Sequence, residues 1–422
     1  MAVKLRDPQI EALNQLHSGC ILAGGVGTGK SLVSIAWYLK QCKTRKGYSD
    51  SGETLMPLKG SPDLLIITEA IKRDRAEWGD ELVKYGLHEG VNKPSGIEIT
   101  VQSWQMIKHF ESFKGVIIFD EQHVSGSGSW VKSFYKMTKM APQNKWILLS
   151  ATPADTYEDL IPIFVANGFY KNKTQFMQLH AVYDRWSKFP KVKEWIRKDR
   201  LEYLRRKIMV PMDRPRNEDG SQAGPKRAPA TIKPVQFDKL AEKHLRKERR
   251  DPWTGEPLEN ISQFCAALRK LVNSDPSRLE TTFQICVEHP RVIIFYNYDY
   301  ELEELRTLGE RLGRKIFERN GHKHDDLPED KNGEWVYLVN YASGAAAWNC
   351  ITTDTVIFYS LNYSYKIMEQ AAGRIDRLNS PYKMLNYYVL RSYSSLDTAI
   401  LRALKLKGKF NERDFGRKNG WS

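Results

Sequence analysis

Gly19 to Ser31 reads GCILAGGVGTGKS, and its character changes halfway along. A short apolar run, Cys20-Ile21-Leu22-Ala23, meets four glycines within six positions, and a helical pattern from Ser31 to Lys40 follows. A short apolar run bounded by glycine reads as a buried strand. Strand, glycine turn and helix in that order frame the pattern G-x-x-x-x-G-K-[ST], which Gly24 through Ser31 satisfy. Each residue type has a physical reason. Glycines let the backbone wrap a phosphate chain, with N–H groups pointing inward at a helix N-terminus. The Lys30 ammonium would reach the outer phosphates, and the Ser31 hydroxyl would complete a Mg²⁺ shell. The candidate nucleotide-binding residues are therefore Gly25, Val26, Gly27, Thr28, Gly29, Lys30 and Ser31. The plain alternative is a glycine-rich turn.

Further apolar runs recur downstream: Leu64–Thr68, Ile97–Val101, Val116–Phe119 and Trp146–Leu149, then Val292–Tyr296, Trp335–Val339, Val356–Tyr359 and Tyr387–Leu390. Most are continuous rather than alternating, the mark of strands buried on both faces of a parallel sheet. Between the two groups, Tyr170 to Asp275 is charged and helical in texture, and Pro211 to Ala230 (PMDRPRNEDGSQAGPKRAPA) reads as an exposed loop. The expected organisation is α/β with two parallel-sheet domains, 1–170 and 276–404. A basic helical segment, 171–275, would separate them, and a basic tail, 405–422, would follow.

Composition narrows the function. Of the 422 residues 41% are hydrophobic, enough for two packed cores, and no run approaches the length of a membrane span. The N-terminus lacks the apolar core of a secretion signal. The five cysteines are scattered, with no Cys-x-x-Cys, which argues against a disulfide framework or a zinc ribbon and suits a reducing cytoplasm. A net charge of +14 attracts polyanions. Arg185 to Arg216 holds twelve Lys and Arg residues, and KHLRKERR (Lys243–Arg250) adds a second cluster, although solvated helical faces would look the same.

Val116 to His123, VIIFDEQH, ends an apolar strand on two acids, an amide and an imidazole. Alone, the pair could be a metal site, an acid/base pair or a polar loop. Beside a phosphate loop it gains a purpose. Asp120 at a strand's carboxyl end can hold Mg²⁺, and Glu121 can orient an attacking water.

The ordered set of GTGKS, DEQH, Ser150-Ala151-Thr152 and QAAGRIDR (Gln370–Arg377) resembles the motif series of superfamily 2 helicases of DEAD/DEAH-box type. Three stretches resemble the Swi/Snf branch of DNA translocases: LRDPQIEAL (Leu5–Leu13), ALRKLVNSDPSRLE (Ala267–Glu280) and TTDTVIFYSLNYSYKIMEQAAGRIDR (Thr352–Arg377). The likeness spans nearly the whole chain. It implies two RecA-like domains, ATP and Mg²⁺ as cofactors, and hydrolysis coupled to movement on DNA. Gln9 would contact the adenine. Lys30, Asp120, Glu121, Gln370, Arg374 and Arg377 would carry catalysis, the two arginines as fingers from the second domain. His123, Ser150 and Thr152 would couple the ATP site to nucleic acid, their hydroxyls bonding toward Asp120 or His123. Thr68, Thr100, Ser103, Ser343 and Gly344 would touch DNA phosphates without reading bases. Gln122, the ASGAAAWN stretch (Ala342–Asn349) and Thr68-Glu69 depart from the branch's pattern. So compact a motor resembles phage or mobile-element helicases, acting as a monomer in the cytoplasm. An RNA helicase of the same superfamily, a scaffold with an inactive ATPase fold and a small-molecule kinase are the alternatives.

Overall fold

The computed structural model describes residues 4–25, 27–49, 52–121, 124, 128–154, 156–183, 192–217, 219–328, 330, 332–344, 348–406 and 410–418. It divides into two units, Met1–Ala223 and Gly224–Ser422.

The first unit holds β1 (Ile21–Gly24), β2 (Thr44–Ser49), β3 (Gly52–Pro57), β4 (Leu64–Thr68), β5 (Gly90–Asn92), β6 (Ile97–Ser103), β7 (Val116–Asp120), β8 (Lys145–Ser150), β9 (Ala181–Tyr183), β10 (Val192–Trp195) and β11 (Met209–Met212). Seven of these form one sheet in the order β11-β1-β8-β7-β4-β6-β5, parallel throughout except for β5. The apolar runs are continuous because alternate residues enter different cores. Leu64, Ile66, Val116, Ile118, Ile147 and Leu149 pack on one face, and Leu65, Ile67, Ile117, Phe119, Trp146 and Leu148 on the other. Each such side chain contributes about 2 kcal/mol by leaving water. The helix Lys30–Gln41 buries Val33, Ile35, Trp37, Tyr38 and Leu39, which fixes its N-terminus at the end of β1.

The second unit holds β12 (Lys226–Arg227), β13 (Thr231–Val235), β14 (Arg291–Tyr296), β15 (Lys315–Arg319), β16 (Trp335–Asn340), β17 (Thr355–Phe358) and β18 (Met384–Ser392). The order is β12-β18-β17-β14-β16-β15, all parallel, with β13 further along the same edge of β18. Ile293 and Phe295 face one core, and Val292, Ile294 and Tyr296 the other.

The architecture is thus the expected pair of parallel α/β sheets. The segment 171–275, however, is not a body of its own. Its first part supplies β11 to the first sheet, and its second supplies β12, β13 and the helix Ile261–Asn273 to the second unit. Nor is Pro211–Ala230 simply a loop. It holds the end of β11 and all of β12, joined by a turn in which Asn217 N donates to Ser221 O and Ala223 N to Pro215 O. The tail folds back as well, with Phe410 and Phe415 buried in the second unit's core. Among the described residues no helix is long and apolar enough to cross a membrane.

Candidate active site

The carboxyl ends of the parallel strands gather the expected chemistry in the first unit. Register sets the depth: Ala23 pairs with Ser150, Leu149 with Asp120, and Thr68 with Ser103. Such an edge is where open parallel sheets bind ligands.

After β1 the chain turns through Gly27 (φ 77°) and Gly29 (φ 85°), both in the left-handed region that disfavours other residues. Gly29 caps the helix Lys30–Gln41, so the loop ends on a helix N-terminus. A Cβ at Gly29 would lie 2.5 Å from the Gln9 amide nitrogen. That amide donates to Thr28 O at 3.0 Å, and Gln9 Oε1 accepts from Arg6 N. Gln9, expected on the adenine, here holds the loop. The Lys30 Nζ donates to the loop's own carbonyls, Gly24 O at 2.7 Å and Gly25 O at 2.9 Å. Thr28 Oγ1 donates to Gly25 O. Val26 lies outside the described residues, as do Gln122 and His123.

Asp120 is 3% exposed. Its Oδ2 accepts from Thr68 Oγ1 at 2.8 Å, Lys72 Nζ at 3.0 Å and Trp78 Nε1 at 3.3 Å, while Trp104 Nε1 donates to its carbonyl. Burial works to raise the Asp120 pKa, but the Lys72 charge and the donated bonds outweigh it and hold the carboxyl below the ordinary range. Burial likewise works to lower Lys72, and Asp120, Glu121 and Glu69 together raise it. Folding therefore favours charged Asp120. Its contribution is present above the unfolded carboxyl value of about 4 and is lost as pH falls through the folded one.

Glu121 follows in the left-handed region, φ 54°, unusual for a residue with a Cβ. Its Oε1 lies 3.9 Å from Lys72 Nζ, and its Oε2 is buried with no hydrogen-bond partner among the described residues. A strained backbone and an orphaned carboxylate oxygen, side by side, mark a position held for a ligand or water. The hard oxygens of Ser31 and Asp120 fit Mg²⁺, which binds through one or two carboxylates and substrate phosphates. No group of three His, Cys, Asp or Glu forms an all-protein cage among the described residues.

Several expected contacts differ. Ser150 Oγ accepts from Thr152 N at 3.2 Å rather than bonding toward Asp120, and Thr152 Oγ1 is buried without a partner among the described residues. Thr68 is fully buried against Asp120, and Ser103, 2% exposed, accepts from Arg73 Nη1 at 3.3 Å. Neither hydroxyl faces outward for a DNA phosphate in this structure. Thr100 is half-buried in β6. Lys72 and Trp78 went unread in the sequence, because one lysine in the charged stretch EAIKRDRAEW carries no signal of its own.

In the second unit, Gln370 lies in the helix Tyr365–Ala372 and its carbonyl accepts from Arg374 Nε. Arg374, 6% exposed, also donates from Nη1 to Trp348 O at 2.9 Å, and Arg377 Nη2 reaches the same carbonyl at 3.5 Å. Ser343 and Gly344 fall in the helical turn Tyr341–Gly344 after β16.

Removing Lys72 tests the carboxylate's dependence on it. Lys72→Ala is expected to lower the unfolding free energy by about 3 kcal/mol, since it strands a buried charge. Mg²⁺ added alone should restore part of that loss in the variant, by binding the folded state. Thermal unfolding with and without Mg²⁺ reads both, and an unchanged melting temperature would refute the pairing.

Residues 2–155 match the family model described as the type III restriction enzyme, res subunit. No curated protein matches the chain. Among solved structures, the Sulfolobus solfataricus SWI2/SNF2 ATPase core in complex with dsDNA is similar, with a TM-score of 0.42 and 16% identity over 96% of this chain and 92% of that one. The glycine turn after β1 and the Asp120-Glu121 strand end both fall within the residues that this family model matches.

Proposed function

We propose that the chain is an ATP-driven DNA translocase or helicase. The observation that carries this reading is Glu121, its backbone strained and its Oε2 orphaned beside the Asp120 carboxylate and in the same strand-end edge as the phosphate loop. The charge of +14 supports a polyanionic track.

On ATP binding, the Lys30 ammonium exchanges the Gly24 and Gly25 carbonyls for phosphate oxygens. Ser31 and Asp120 would hold Mg²⁺, which would neutralise charge on the phosphates. Lys72 then shares Asp120 or turns toward Glu121 and Glu69. Glu121 orients the attacking water and accepts its proton at the carboxylate. Arg374 and Arg377, which both donate to the Trp348 carbonyl, would supply positive charge to the phosphoryl group. Gln9 ties the base end of the site to the loop. His123, Ser150 and Thr152 would couple the site to nucleic acid, with Thr100, Ser343 and Gly344 as phosphate contacts.

The test is ATP hydrolysis with duplex DNA, single-stranded DNA or RNA. Duplex DNA is expected to raise kcat at least about tenfold. Stimulation by RNA alone would make the chain an RNA helicase instead. Triplex displacement without strand separation would define translocation.

A further inference from the structure

The helix Tyr365–Ala372 ends at the arginine-bearing segment 373–378, and something must hold that segment still. Its own packing does only part of this. Cys350 N donates to Arg374 O at 2.9 Å, and the Tyr387 hydroxyl donates to Ala372 O at 3.0 Å. A further anchor comes from the chain that enters this unit from the first one. Gly224 (φ 83°) runs so close that a Cβ would lie 3.2 Å from Leu378 Cα and 3.6 Å from Arg377 O. Lys226 N and Ala228 N then donate to Lys383 O and Leu385 O, fastening the entering strand along β18. From that strand Arg227 reaches back with both ends of its guanidinium. Its Nε donates to Asp376 Oδ2 at 2.5 Å and its Nη1 to Glu369 Oε1 at 2.5 Å. Its Cζ also lies 6.0 Å from the Tyr387 ring centroid. The Asp376 side chain is 3% exposed and Glu369 30% exposed, so one arm of the fork is internal and the other near the surface.

We propose that Arg227 is a positioning residue for hydrolysis, clamping Glu369 and Asp376 so that the segment carrying Arg374 and Arg377 keeps one geometry. A guanidinium fork suits the task, since two donors in one rigid plane fix both distance and direction. Asp376 stands between the two arginines in sequence. By taking its Oδ2, Arg227 sets where that carboxylate sits and how the backbone on either side is presented. Arg227 follows directly on the segment that leaves β11, and Met212 of β11 pairs with Gly24 at the start of the phosphate loop. The clamp rests on the reading that Arg374 or Arg377 acts on the phosphoryl group.

The test uses the full chain with ATP and a linear duplex DNA. It compares kcat and KM of the wild type with those of R227A, R227K, E369Q, R377A, R374A and the double variant R227A/R377A, alongside fluorescent-nucleotide affinity and melting temperature. R227A is expected to lower kcat about tenfold or more while nucleotide affinity stays within about twofold, and R227K should recover part of it. E369Q weakens only the near-surface arm, exchanging a carboxylate acceptor for a neutral amide oxygen. It should melt like the wild type and still lose kcat severalfold, which keeps the test decisive if R227A folds poorly. R227A should add nothing in the R377A background, because both act through one segment. Wild-type kcat in E369Q, or a full extra loss in the double variant, would overturn the clamp. Wild-type kcat in both R377A and R374A would instead overturn the role given to the arginines.

Discussion

Lys30→Ala is expected to lower kcat for ATP hydrolysis by roughly 10²–10³-fold, the usual loss when one preorganised electrostatic donor is removed from a phosphoryl-transfer site. The argument is local. The ammonium sits at the loop, with Gly24 O and Gly25 O among its partners. Both acceptors are neutral carbonyls, weak partners for a cation that a phosphate oxygen would hold far more strongly. Lys30 is half-buried rather than buried, so the freed carbonyls can turn to water and the fold should barely notice. The variant is expected to melt within about 2 °C of the wild type, since partly exposed polar losses stay near ±0.5 kcal/mol. A coupled ATPase assay beside a melting curve measures both quantities. A wild type no faster than the variant would sink the active-ATPase reading and favour the scaffold.

Glu121→Gln should separate binding from chemistry. The amide keeps the volume and hydrogen-bonding reach of the side chain but cannot take a proton, so kcat should fall about 10²–10⁴-fold. Nucleotide affinity should stay within about twofold, because Glu121 is not placed on the phosphates. The ion pair that the amide gives up with Lys72 is a long one, 3.9 Å, and Lys72 keeps Asp120 at 3.0 Å. Single-turnover hydrolysis against fluorescent-nucleotide binding distinguishes the two effects. Equal losses in both would mean that Glu121 holds the nucleotide rather than the water, and an unchanged kcat would place the base elsewhere.

What could be read in the sequence follows from burial. Strands such as LLIIT, VIIFD and WILLS are covered on both faces, so their apolar character is continuous and their ends fall where it stops. The glycine turn after β1 was legible because Gly27 and Gly29 take the left-handed backbone that glycine adopts most easily. The edge strands were not. Met209–Met212, Lys226–Arg227 and Thr231–Val235 are short, polar or proline-bearing, and they pair because a neighbouring strand offers an open edge. Pro211 and Pro234 sit there for the same reason, since an edge strand can spare an N–H. Missing those strands made 171–275 look like a separate helical body. The supports of the site were hidden differently. Lys72, Trp78 and Arg227 act through residues far away in sequence, and a lysine or arginine in a chain holding 65 of them announces nothing. Thr68 and Ser103 lie at strand ends with their hydroxyls bonded to Asp120 and Arg73, because strand position fixes depth and not which polar neighbour a hydroxyl finds.

The left-handed backbone at Glu121 has a consequence for anyone who would engineer this protein. A residue with a Cβ there sacrifices about 1 kcal/mol that glycine would keep, and the orphaned carboxylate oxygen adds its own desolvation. Selection for heat resistance alone therefore pulls this position toward glycine or asparagine, and each step along that path relaxes the fold while erasing the group proposed to handle the water. Directed evolution of a hardier variant has to keep turnover in its screen, or position 121 becomes the easiest stability to gain and the worst to accept.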